Sequence, residues 1–188
     1  MFPISKTFLR TFDKHDIIMQ KEGRDLRRRM IKTSILWALT AVWMGFIFLM
    51  SAQTGESSSA LSGSLTQALV SLLTPDFHSL TIAEQTALVE NWHFVIRKLG
   101  HFTEYAVLGI LWLSSLCVSR VPQKLSLPIA FGISVLYAIG DEWHQSFVGG
   151  RGPSVVDVGI DAVGVLVGIA VVFLAGTIIR RRRRKEKS

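Results

Sequence analysis

The sequence predicts an all-α integral membrane protein: four transmembrane helices, with interfacial, amphipathic helices in the external connection between the first and the second. Three observations lead there. Four stretches of about twenty apolar residues are present, the length that spans a ~30 Å hydrocarbon core at about 1.5 Å per residue. Apolar residues make up 49% of the 188-residue chain and its mean hydropathy is +0.38. Lys and Arg crowd the two ends and leave little charge inside the apolar stretches.

Residues 1–32 form a basic N-terminal segment with nine Lys and Arg. The first span follows from Thr33 to Ser51, the second from His101 to Ser119, the third from Leu125 to Glu142, and the fourth from Val156 to Ile179. The fourth is long enough to tilt or to extend past the bilayer. Residues 180–188 close the chain as a basic tail, so the layout is a segment 1–32, a four-helix domain 33–179 and a tail 180–188. A cleaved signal has a short basic start and an apolar region of ~7–15 residues, and the long charged segment ahead of Thr33 does not fit that form. Cys117 is the single cysteine, which rules out an intrachain disulfide and a zinc site built from cysteines.

Orientation follows from the basic residues. With the N-terminus in the cytoplasm, eighteen of the 21 Lys and Arg lie inside, and only Arg97, Lys98 and Arg151 lie outside. The positive-inside rule therefore expects both termini in the cytoplasm of a multi-pass plasma-membrane protein. The basic runs "RDLRRR" and "RRRRRKEK" flank spans and carry no interleaved aromatic or Gly-rich pattern. They read as anchors against an anionic leaflet of the lipid bilayer, not as a nucleic-acid surface.

The external connection, residues 52–100, contains two helical candidates. Leu61, Leu65, Leu69 and Leu72 recur at helical spacing and stop at Pro75-Asp76, a segment suited to lying flat on the membrane. From Thr81, with Glu84 as its capping partner three residues on, Val89, Trp92, Ile96 and Leu99 form a second stripe leading towards span two. His78 and His93 read as interfacial residues.

The ionisable residues of the spans share one side of the membrane. Span two begins with His101 and Glu104, span three ends at Asp141 and Glu142, and span four starts with Asp157 and Asp161. Helical spacing places Lys98, His101, Glu104, Tyr105 and Leu108 on one strip of span two, and Asp157, Asp161, Gly164 and Gly168 on one strip of span four. The glycines mark that strip as facing the bundle, because they let another helix approach closely. In span three, Tyr137, Asp141, His144 and Gln145 align, and Glu142 points elsewhere. A charge in hydrocarbon costs at least ~2.5 kcal/mol, so such groups have partners, water or a function.

The stretches "RKLGHFTEYAVLG" and "YAIGDEWHQSFVGGRGPSVVDVGIDAVGVLVG" resemble the VanZ-like family, whose pattern is K-x-x-H-F-x-E-Y-x-x-L-G, then D-E-x-x-Q and R-x-x-x-x-x-D-x-x-x-N/D-x-x-G. The matching residues are Lys98, His101, Phe102, Glu104, Tyr105 and Gly109, then Asp141, Glu142, Gln145, Phe147, Arg151, Asp157 and Gly164. "MSAQ" at Met50 to Gln53 resembles the family's S-x-Q, and the likeness runs over roughly residues 35–172. The chain departs at Asp161, where Asn is usual. The resemblance implies a four-span membrane protein related to one associated with low-level resistance to the glycopeptide antibiotic teicoplanin.

Two classes of function fit these residues. In the first, an outer-face site binds or modifies a membrane lipid phosphate or a lipid-linked cell-wall precursor. There Glu104 or Asp141, with Glu142 beside it, acts as base and His101 as acid, or these groups hold a divalent cation. Lys98, Tyr105, Gln145, Asp157 and Asp161 would contact the substrate, and Arg151 in "VGGRGP" would pair with a phosphate. In the second, the acids couple protons in a small transporter, or the protein is a non-catalytic scaffold; carrier sites usually lie at the midplane, which is apolar here. Ser51, Ser146 and Ser154 lack the G-x-S-x-G context of an acyl-transfer nucleophile. The orientation is checked with single cysteines in a Cys117-replaced background: an impermeant thiol reagent on intact cells labels Ser57→Cys and spares Ser188→Cys, and the reverse pattern inverts the topology.

Overall fold

The computed structural model describes residues 6–150 and 152–186, with side-chain surroundings defined for 19–54, 60 and from 62 onward. Five α-helices make up the described chain: α1 Lys6–Ser51, α2 Gly55–Leu73, α3 Ile82–Val118, α4 Gln123–Gln145 and α5 Val155–Lys185, with a 3-10 turn at Phe77–Ser79 between α2 and α3. Four of them, α1, α3, α4 and α5, are long and apolar enough to cross a membrane. Their surface agrees with that. Leu39, Val42, Phe46, Leu136, Val163, Leu166 and Leu174 are exposed on the flanks of the bundle, an apolar area that water would not tolerate and lipid does.

Two of the predicted elements fuse. The segment from Thr81 and span two form a single 37-residue helix, α3, because Gly100 at the join meets no break signal and the apolar stripe continues across it. Its start is the predicted capping box. Thr81 Oγ1 accepts the Glu84 N–H, and the Thr81 N–H donates to the Glu84 carboxylate at 2.8 Å. Its end is a Schellman motif, with the Arg120 N–H donating to the Cys117 carbonyl, the Val121 N–H to the Leu116 carbonyl, and Arg120 itself left-handed at φ 63°. Pro122 follows and α4 begins at once, antiparallel to α3. Pro128 sits in the early turns of α4, where the loss of one N–H donor is tolerated near the helix end.

Leu69, Leu72 and Leu73 of α2 face away from the protein. Leu65, Leu69 and Leu72 are exposed, while Thr66 and Val70 are buried, and Ser62 Oγ meets His93 Nε2 of α3 at 2.7 Å. This helix packs its small polar face on α3 and offers its leucine face outward, as an interfacial helix does.

The α3–α5 pair is the most extensive contact in the bundle. A Cβ on Gly164 would lie 2.4 Å from the Phe102 carbonyl oxygen, one on Gly168 2.0 Å from that of Ala106, and one on Gly109 2.7 Å from that of Val165. Backbone meets backbone at all three. Helix α1 is pinned along α3 by polar contacts: Trp37 Nε1 donates to Ser119 Oγ at 3.1 Å, Thr40 and Ser115 hydroxyls meet at 3.1 Å, and Trp43 Nε1 donates to the Glu104 carbonyl at 2.9 Å. Tyr137 of α4 donates to the Met44 carbonyl at 2.6 Å. Gly164→Ala and Gly168→Ala will therefore force α3 and α5 apart and destabilise the protein by about 1–3 kcal/mol or more, whereas Gly176→Ala, with open space around it, will melt like the wild type. Equal melting of the three variants in detergent would contradict this packing.

Candidate functional site

The glycine contact fixes what lies beyond it towards the α5 N-terminus. With α3 and α5 touching from Gly109 to Phe102, the residues within about the next turn, Lys98 and His101 of α3, are carried onto Asp157 and Asp161 of α5. Lys98 Nζ forms an ion pair and hydrogen bond with Asp157 Oδ1. His101 Nδ1 lies 3.7 Å from Asp161 Oδ1, an ion-pair distance when the imidazole is protonated. The α5 N-terminus is capped by Ser154, whose Oγ accepts the Asp157 N–H at 3.2 Å. Asp161 lies about 9 Å along the helix from Val155, so the site is near one end of the bundle and not at its middle.

The end of α4 closes the group. Asp141, Glu142 and Gln145 are all buried, and Gln145 Nε2 donates to Asp141 Oδ2 at 3.3 Å. Glu142 does not point elsewhere, as helical spacing from Asp141 had indicated. It is 3% exposed, and its Oε2 accepts the Ser154 N–H at 2.7 Å. Its Oε1 has no hydrogen-bond partner among the described residues. The reason is that α4 packs against both α3 and α5, so two adjacent faces of the helix are covered. His144, expected on the same strip as Asp141, is instead turned to α1, where its ring stacks 4.7 Å from that of Phe48.

Among the described residues, Asp161 is the most enclosed carboxylate. It is 0% exposed, and neither carboxylate oxygen accepts a hydrogen bond from a described residue. Atoms of His101, Glu142 and Asp161, one from each, lie within 4.8 Å of one another. Tyr105 is fully buried, with its ring 6.5 Å from that of Tyr137, and belongs to the apolar core as much as to the cluster.

Beside the cluster is a cavity of about 210 Å³. Ile47, Met50 and Leu65 from α1 and α2 form apolar walls, and Arg97, His101, Glu104 and Asp141 bring charge to it. Glu104 and Asp141 thus belong to the cavity, His101 to both cavity and trio, and Lys98 with Asp157 to an ion pair next to them. Arg151 lies outside the described residues. Arg97 was not among the residues singled out from the sequence, although it stands four residues before His101 and seven before Glu104, which is the helical spacing of one face. Ser51, the serine of the S-x-Q match, also lines the cavity, as does Ser62, which gave no signal of its own.

The arrangement offers a chemistry of buried carboxylates, an imidazole and one arginine around a small space with apolar walls. No curated protein and no solved structure matches the chain. The sequence model of the VanZ/LLP1 family, however, matches residues 36–176, a range that takes in α3 and α4 whole and most of α5 together with every residue of the cluster, and the chain belongs to that family.

Proposed function

We propose that the protein works at the extracytoplasmic leaflet of a bacterial plasma membrane, with both termini in the cytoplasm, where it binds or modifies a lipid phosphate or a lipid-linked cell-envelope precursor. The observation that carries this reading is the cavity, which joins apolar walls from α1 and the outward-facing helix α2 to Arg97, His101, Glu104 and Asp141. A chain-bearing phosphate needs both surfaces: somewhere for its first methylenes, and donors for its oxygens. Arg97 supplies a guanidinium fork suited to phosphate oxygens. Glu104 and Asp141 are the groups to accept a proton from an attacking water or hydroxyl, and His101 the group to return one to a leaving oxygen. Lys98 and Asp157, bound to each other, serve mainly to hold α3 and α5 together at this end.

A shallow site also suits this substrate class better than a transported ion. Asp161 and Asp141 sit within about two turns of the ends of α5 and α4, and the middle of each span is apolar. A change in the supply or exposure of a lipid-linked precursor is the route by which such a protein would alter tolerance of glycopeptide antibiotics, which act on that material.

The test compares membrane lipids, cell-wall precursors and teicoplanin susceptibility in cells with wild-type protein, without it, and with Glu104→Gln or Asp141→Asn. Both variants are expected to insert and melt as the wild type does, yet to give the profile of cells without the protein, and the double variant to be no worse than either single because the residues act as a unit. Variants that lose about 1–3 kcal/mol of stability while their folded fraction restores the wild-type profile would make the cluster a packing cap instead.

A further inference from the structure

We propose that His101, Glu142 and Asp161 form a binding site for one divalent cation of the zinc or manganese type. The inference rests on the reading of this end of the bundle as a site, and it names what holds the site's charge. The three residues come from three helices far apart in sequence, α3, α4 and α5, and each directs a ligand atom to within 4.8 Å of the other two. Three ligands of a tetrahedral ion with bonds of about 2.1 Å stand about 3.4 Å apart, so the ligand atoms of the trio would draw together by at most about 1.4 Å to hold an ion.

A second observation is independent of that geometry. Asp161 is wholly enclosed, and both its oxygens lack a hydrogen-bond donor among the described residues. The same is true of Glu142 Oε1, while Oε2 of that carboxylate is held by the Ser154 N–H. The hydrogen bond orients the free oxygen, the service that an outer-shell partner gives a metal ligand. Lys98, one turn before His101 on α3, is engaged by Asp157. Buried carboxylate oxygens without donors are costly unless paired or bound to a metal.

The donor set selects the ion. An imidazole with two carboxylates suits zinc, manganese or iron(II), whereas calcium and magnesium favour oxygen-only sets with more ligands. Three protein ligands leave a coordination position open. His101 belongs both to this trio and to the cavity lining, so an ion here stands beside the cavity, where it would offset the carboxylates and, in place of a proton from His101, stabilise the leaving phosphate oxygen.

The experiment uses the tag-free, full-length protein in nanodiscs, stripped with chelator, then equilibrated with Zn2+, Mn2+, Mg2+ or Ca2+ and assayed for bound metal and melting temperature. One Zn2+ or Mn2+ per chain is expected, with a raised melting temperature and weaker response to Mg2+ and Ca2+. Asp161→Asn and Glu142→Gln should each weaken binding by more than about tenfold, and His78→Ala, at an exposed position, should not. Co2+ loading of the wild-type protein gives a readout that does not depend on a variant folding: a visible absorption band should appear as the ion binds and be lost to chelator. No stoichiometric metal in the wild type, or binding that survives both carboxylate variants, would overturn the proposal. Binding of a polyprenyl phosphate is measured on the same samples: if it persists in protein that takes up no metal, the cation site fails and the lipid site stands, and if neither binds, both readings fail.

Discussion

Three glycines decide what this bundle can do. Gly109, Gly164 and Gly168 have carbonyl oxygens of the opposite helix where a side chain would begin, so α3 and α5 approach to backbone contact. In a membrane there is no hydrophobic driving force between helices, and such close packing is a main source of association. The contact also has a chemical result. It carries the Lys98 and His101 face of α3 onto the Asp157 and Asp161 face of α5 and shuts the second of these carboxylates away from solvent. Everything at the polar end, including the place left for α4 to deliver Asp141 and Glu142, follows from that approach.

The remaining helices divide the work around this pair. Helix α1 holds to α3 through Trp37, Thr40 and Trp43 and leaves most of its other side to lipid. Helix α2 is turned inside out relative to a soluble helix, with Thr66 and Val70 inward and its leucines outward. It reaches the bundle through Ser62 and His93 and forms a wall of the cavity through Leu65. In the proposed orientation the cavity faces the bilayer surface, which is where a lipid headgroup resides.

Much of this was legible in the sequence. Hydropathy located the spans, since about twenty apolar residues have few other uses. The Thr81 and Glu84 pair marked a helix start that the structure has, and the strip Asp157, Asp161, Gly164 and Gly168 faces the bundle as its spacing required. What spacing could not supply was the number of neighbours each helix has. Asp141 and Glu142 are about 100° apart on α4, so one buried face would exclude one of them; with α3 and α5 both against the helix, both are buried. The same limit hid the turn of His144 to Phe48, whereas the outward direction of Leu65, Leu69 and Leu72 agrees with the membrane-lying segment that their spacing indicated. The fusion of the Thr81 segment with span two was not visible because Gly100, a residue often found at helix ends, here lies in the middle of a continuous helix.

The account stands on the cavity beside the cluster being a place for one kind of lipid. A photo-reactive phenylalanine analogue placed at Leu65, on the cavity wall, and separately at Leu136, on the lipid-exposed flank of α4, tests that in living cells by identifying what each position captures. The Leu65 probe is expected to enrich a phosphate-bearing polyprenyl lipid or lipid-linked precursor far above its share of the membrane, while the Leu136 probe returns the bulk phospholipids. The same bulk lipids at both positions would contradict it.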